Sequence, residues 1–208
     1  MKTFETLTLD FKTHKQELAE LKEYLDTKDE LSENTDLLPF FRKRKTLTSQ
    51  IATLFPSIIT TDKFATEYDL FGDFSADFAI GDSSNKTYCF IEFEDAKKES
   101  IFVQNGKKCK LEFSSRLEHG FSQVIDWFYK LDNQSHTDLE ERFGSHVINY
   151  EGILIIGRDK YLDTTLKRRL EWRTRHTIVN SKFLQCYTFD ELYVSLEKKL
   201  SYIEKTVE

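Results

Sequence analysis

The sequence predicts an α/β fold, a mixed sheet flanked by helices, with residues 1–60 as a helical lead-in and residues 61–208 as the sheet-containing domain. Three observations predict it. Helical and strand-like periodicities alternate along the chain. The run Gly152-Ile153-Leu154-Ile155-Ile156-Gly157 is apolar throughout, as a strand covered on both faces should be. Two strand-like runs at 75–80 and 87–93 are separated by Gly81-Asp82-Ser83-Ser84-Asn85-Lys86, a cluster of turn formers, so a β-hairpin is expected there.

In chain order, residues 9–26 read as a charged helix with a thin stripe at Leu18, Leu21 and Leu25. Residues 38–55 read as a second helix, with Phe40, Phe41, Leu47, Ile51 and Leu54 at helical spacing and Pro56 closing it. After the hairpin comes a lysine-rich connection holding Asn105-Gly106. A helix then spans 113–131, with Leu117, Phe121, Val124, Ile125 and Phe128 on its apolar side. The buried strand at 152–157, a basic helix at 162–175 and a short strand at 183–187 follow. The last helix carries Leu192, Leu196, Leu200 and Ile203 along one stripe. It opens with Thr188-Phe189-Asp190-Glu191, a capping box in which hydroxyl and carboxylate satisfy each other's backbone N–H.

Composition excludes several classes. Of 208 residues 39% are hydrophobic and Phe alone counts 18, so the chain can bury a core and is not disordered. With only 7 Gly and 2 Pro, and no internal repeat, low-complexity and collagen-like architectures are excluded. No apolar run approaches the length of a membrane span or a signal peptide. Three widely spaced cysteines (Cys89, Cys109, Cys186) form no CxxC pair, which argues against a disulfide scaffold or a cysteine zinc site and for a reducing cytoplasm. The net charge of −6 gives the whole molecule no cationic field. Basic clusters nevertheless stand at 42–45, at 97–98 with 107–110, and at 167–175. Each is either a solvated helix face or part of a groove for a polyanion.

The segment with chemistry in it is Phe90-Ile91-Glu92-Phe93-Glu94-Asp95-Ala96. On a strand, Glu92 and Glu94 share one face and Ile91 and Phe93 the other. Two carboxylates ~6 Å apart at an effective dielectric of about 20 repel by roughly 3 kcal/mol, before desolvation is counted. A divalent cation, a lysine or a shared proton must offset this. Hard oxygen ligands favour Mg²⁺ or Mn²⁺ over zinc. Asp77 on the partner strand joins the same face if the connection contains an even number of residues, and turns away if it is odd. Glu67, with Asp69 and Asp73 near it, is a candidate for a further carboxylate at the edge. Arg116, His119 and Gln123, spaced three and four apart, project along one stripe of the following helix. That stripe is either a polar solvent face or a wall of the site.

An Asp on the first hairpin strand, Glu-x-Glu on the second, and a later helix with Gln123-Val124-Ile125-Asp126-Trp127 resemble the PD-(D/E)XK nuclease superfamily. Residues 74–132 more specifically resemble the Shedu-type immune nuclease domain of bacterial anti-phage defence; the resemblance covers roughly the last two thirds of the chain, and the helical first quarter offers no motif that extends it. The resemblance implies a restriction-endonuclease-like core and metal-assisted hydrolysis of a phosphodiester in double-stranded DNA. By it, Asp77, Glu92 and the Phe93 carbonyl would hold Mg²⁺ or Mn²⁺, and Gln123 would position a water or the DNA strand. At position 94 glutamate stands where most of the superfamily has lysine. Either Glu94 polarises the attacking water, or Lys97 or Lys98 supplies the amine, or the site only binds. Lys107, Lys108, Lys110, Lys167, Arg168, Arg169 and Arg173 are the candidates for phosphate contact. The expected alternative is a catalytically inactive module that binds nucleic acid or regulates a partner. A solvated strand end with no role is disfavoured by the apolar run around Glu92. The last helix and the aromatic surplus also suggest a homo-oligomer.

Overall fold

Alternation along residues 74–93 forms the centre on which the rest of the chain packs. The computed structural model describes residues 3–106 and 110–207. A short strand β1 (Glu5–Thr6) precedes α1 (Phe11–Thr27), whose first turn is capped by Asp10 accepting from the Thr13 N–H at 2.8 Å. A π-helical turn (Glu33–Leu37) leads into α2 (Leu38–Arg42) and α3 (Lys45–Ala52). Next come β2 (Lys63–Leu70), β3 (Phe74–Asp82), β4 (Thr87–Phe93) and a small hairpin of β5 (Phe102–Val103) and β6 (Glu112–Phe113). Helices α4 (Ser115–Asp132) and α5 (His136–Phe143) separate these from β7 (Asn149–Ile155). A 3₁₀ turn (Asp159–Tyr161), α6 (Thr164–His176), the hairpin β8 (Ile178–Val179) and β9 (Lys182–Phe183), then β10 (Gln185–Tyr187) and α7 (Phe189–Val207) complete the chain.

The main sheet has six strands in the order β1-β2-β3-β4-β7-β10. The pairs from β1 to β4 are antiparallel, while β4–β7 and β7–β10 are parallel, so the sheet is mixed as expected. The parallel crossovers run through helices, α4 and α5 for the first and α6 for the second. One face is covered by α1, α2, α3 and α7, with Leu21, Phe41, Ile51, Phe78, Ile91, Phe93 and Phe189 at its core. The other face is covered by α4, α5 and α6, around Phe90, Leu117, Val124, Trp127, Phe143 and Leu154. Two glycines let α4 lie close to the sheet. A Cβ on Gly120 would stand 2.6 Å from Leu154 Cδ1, and one on Gly152 2.6 Å from Val124 Cγ1.

Several expectations change. The single helix at 38–55 is broken at Lys43–Arg44, because Arg44 leaves helical backbone (φ −116°, ψ 66°) to pair with Glu20 at 2.7 Å and to cover the Phe40 ring. Strand β2 went unpredicted. Glu67 within it has φ 47°, a left-handed conformation that costs a non-glycine residue roughly 1–3 kcal/mol. Phe64 and Tyr68 would share a face in a regular strand, yet they enter opposite cores, so the period-2 signal is scrambled. Helix α5 was also unpredicted, and the strand expected at 183–187 divides between β9 and β10. The capping box of α7 forms in both directions, Thr188 N–H to Glu191 Oε2 at 3.0 Å and Glu191 N–H to Thr188 Oγ1 at 3.1 Å. Among the described residues no helix is long and apolar enough to cross a membrane.

Candidate functional site

The connection between β3 and β4 is Ser83-Ser84-Asn85-Lys86, four residues, so the parity condition is met. Asp82 fixes that length. It is fully buried and accepts the N–H groups of Ile59, Thr60 and Asn85 together with the Asn85 side-chain amide. The register then runs Asp82↔Thr87 through Phe78↔Ile91, and its continuation sets Asp77 opposite Glu92. Backbone pairing ends there. The Asp77 side chain takes over, its Oδ2 accepting from the Phe93 N–H at 2.8 Å. Glu67 holds the position on β2 opposite Asp77, between the pairs Thr66↔Phe78 and Tyr68↔Ala76, and binds Arg42 at 2.7 Å.

Beyond the hairpin, Glu92, Glu94 and Asp95 are all buried at the carboxyl end of β4, which runs parallel to β7. In open α/β sheets that end of the parallel strands is where ligands bind. Ser114 caps α4 by accepting from the Leu117 N–H, which aims the stripe Arg116, His119, Gln123 at this end. The Gln123 side-chain amide lies beside Glu92 and favours its ionised form, while the Gln123 Oε1 is buried without a partner among the described residues. Arg116 donates to Glu94 at 2.5 Å, lies 3.3 Å from Glu33 and reaches Asp95 at 3.4 Å. His119 is exposed and weakly favours ionised Glu33. Trp127, one turn beyond Gln123, is fully buried against Phe90 and anchors the helix.

The electrostatics are those of acids crowded away from water. Burial raises Glu92 far above the usual carboxylate range, and neighbouring Asp77, Glu94 and Glu33 add to it. Burial likewise raises Asp77, against the Phe93 N–H that favours its charged form. Glu94 is pushed up to about 7 by burial, with Arg116 holding it down from a higher value. Asp95 goes the other way. Burial would raise it, but Lys97, the Glu33 N–H and Arg116 outweigh that and lower it.

Glu33 was not anticipated. It stands on the π-helical turn, its N–H donates to Asp95 Oδ1 at 2.8 Å, and a bridge between Leu31 and Ala96 straps this segment beside the end of β4. Glu33 lies some sixty positions upstream of the motif in a helical lead-in, and no local pattern marks it; π-turns do recur at functional sites. Of the proposed amine donors, Lys97 is bound to Asp95 at 2.7 Å, and Lys98 is exposed and donates its backbone N–H to Glu30. Among the described residues no group of three His, Cys, Asp or Glu side chains is gathered closely enough to hold a metal ion as it stands.

The basic candidates are dispersed. Lys167 pairs with Asp159 at 2.6 Å, and Arg173 holds both oxygens of Glu118 at 2.5 and 2.6 Å. Arg169 donates to the Leu111 carbonyl at 2.8 Å and lies over the Phe102 and Phe113 rings. These three are committed to internal contacts, contrary to a reading of them all as open phosphate ligands. Arg168 is exposed, and Lys110 likewise borders solvent; Lys107 and Lys108 lie outside the described residues.

Fold and site together define an α/β protein with a buried acidic cluster at the carboxyl end of its parallel strands. The family described as "Shedu protein SduA, C-terminal" matches residues 10–193, taking in most of the helical first quarter that the motif resemblance left out, and the chain belongs to that family, which places it among Shedu-type anti-phage defence domains. No curated protein matches it.

Proposed function

We propose that the chain is a metal-dependent DNA endonuclease or nickase acting in anti-phage defence, on a restriction-endonuclease-like core. One observation carries the reading. Asp77 and Glu92 come from neighbouring strands to opposed positions, Glu92 buried and Asp77 half-buried, and among the described residues no cation pairs with Glu92. Such an arrangement is unfavourable by itself and becomes favourable when a divalent cation enters. The donor set suits Mg²⁺ or Mn²⁺, since Asp77, Glu92 and the Phe93 carbonyl are hard oxygens. The buried, unpartnered Oε1 of Gln123 is an acceptor awaiting a water. When bound, such an ion lowers the pKa of a water and stabilises charge on a phosphate.

The chain's own residues do the rest. Gln123, beside Glu92, favours its ionised carboxylate through its amide and offers Oε1 to orient a water. Glu94, poised near neutrality at about 7, is suited to accept the proton of that water. Arg116, beside Glu94 and 42% exposed, is placed to meet a phosphate.

Nicking of a supercoiled plasmid in Mg²⁺ or Mn²⁺ tests the reading. Wild type should convert it to the open circle and Glu92→Ala should not; equal nicking by both would sink it. The pairing of Arg116 with Glu94 and of Lys97 with Asp95 favours a second reading, a nuclease-like module that binds without cutting. DNA binding with no cleavage in either metal would select it.

A further inference from the structure

Helix α6 exposes Thr165, Arg168 and Trp172, spaced three and four apart, so one solvent-facing stripe carries an aromatic ring beside a guanidinium. Trp172 is 65% exposed, while the other tryptophan, Trp127, is fully buried. The indole is pre-set: His176 stacks on one face at 4.6 Å and 19°, its Nδ1 at 2.6 Å from the Trp172 carbonyl oxygen. The recess beside it is lined by Phe113, Thr165, Arg168, Arg169 and Trp172 and contains no carboxylate. Four other surface recesses each hold an acid, Asp138, Glu118, Asp159 and Asp10 among them, in a chain of net charge −6. Arg168 has no ion-pair partner among the described residues. Arg169 floors the recess, its guanidinium on the Phe113 ring.

We infer that this recess is a docking site for an unpaired DNA strand, with a base stacked on Trp172 and its phosphate on Arg168. A protruding indole backed on one side needs a flat, unstacked partner, which duplex interiors do not offer. The adjacent guanidinium selects an anionic backbone. The face is tied to the acidic cluster through Arg173, the residue after Trp172, which grips Glu118 on α4 between Arg116 and His119. A strand leaving the acidic end along α4 would thus reach α6. The inference deepens the nucleic-acid reading above but rests on different residues.

The experiment is a titration of the full chain with a ten-nucleotide oligo-dT in EDTA, followed by tryptophan emission and by anisotropy of a labelled oligonucleotide. The expected result is quenching of the exposed emission and binding that weakens with salt. Trp172→Ala should weaken binding about tenfold, the order of one lost stacked base, Trp172→Phe should retain most of it, and Arg168→Glu should weaken it similarly. Unchanged affinity in Trp172→Ala, or duplex of the same length bound equally well, overturns the inference. So does a Trp172→Ala chain that sediments differently with unaltered oligo-dT affinity, since the face would then be a contact between copies. Because no metal is present, the two readings fail separately. A chain that binds oligo-dT but never nicks plasmid refutes the nuclease reading alone. One that nicks without quenching refutes only this one.

Discussion

The hairpin of β3 and β4 buries carboxylates at both of its ends and treats them oppositely. At the turn, Asp82 is surrounded by donors from Ile59, Thr60 and Asn85, and although burial alone would raise it, these bonds lower it to about 2. At the other end Glu92 and Glu94 are buried and Asp77 half-buried, but each meets few donors and several like charges, and all three are raised. Burial therefore does not decide the charge of an acid; the supply of N–H groups aimed at it does. The turn has spent its carboxylate on structure. The open end keeps its carboxylates poorly satisfied, a state that a hard cation would relieve.

The largest effect expected from breaking this contrast is functional. Glu92→Gln should lower metal-dependent nicking by ~10²-fold or more, yet raise the melting temperature of the metal-free chain at neutral pH, because it removes a buried acid from a crowd of acids. A nicking assay and a thermal melt on the same sample check both; a lower melting temperature would contradict the electrostatic picture. Asp82→Ala should do the reverse at the turn. It leaves buried N–H groups unpaired and should cost about 2–4 kcal/mol in urea unfolding.

Next in size is steric. Gly152→Ala pushes a methyl into Val124 and Phe128, with contacts as short as 2.6 Å before relaxation, and should cost about 1–3 kcal/mol while moving α4 off the sheet. Loss of nicking beyond the loss of stability would show that Gln123 depends on that close approach. Gentlest is the pH response. Asp82, lowered in the fold, adds stability at pH above its ordinary value of 3.8 that disappears as pH falls through about 2. Glu94, raised to about 7, adds stability that is complete below its ordinary 4.5 and disappears as pH rises through about 7. Unfolding free energies between pH 5 and 8 should therefore decline in the metal-free wild type and decline less in Glu94→Gln. A profile identical in the two would remove Glu94 from the account.

How much could be read in advance follows the range of the interactions. The apolar run at 152–157 announced β7 because a strand covered on both faces needs no alternation. The box at Thr188–Glu191 announced the start of α7 because its bonds span three residues. The facing of Asp77 and Glu92 was legible as a condition, since strand parity turns on loop length alone, but the length itself is set by Asp82 reaching back to Ile59 and Thr60. Strand β2 was hidden by the left-handed Glu67, which reverses the face of the residues around it. The break after α2 was hidden because Arg44 follows a partner on α1 and not its own helical preference.

What the sequence by itself determined is local and periodic: an α/β alternation, a hairpin with Glu92 and Glu94 on one face of its second strand, a glutamine helix after it, and a helix start closed by its own side chains. Tertiary structure alone decided which cations those acids meet. Arg116 went to Glu94, Lys97 to Asp95, and Glu33 came from a distant turn to stand among them. The physical reason is that a side-chain period of two or 3.6 fixes the face on which a group lies. For Arg116 and Glu33 the partner across that face is chosen by packing between elements far apart in the chain, and no repeat along the sequence encodes it.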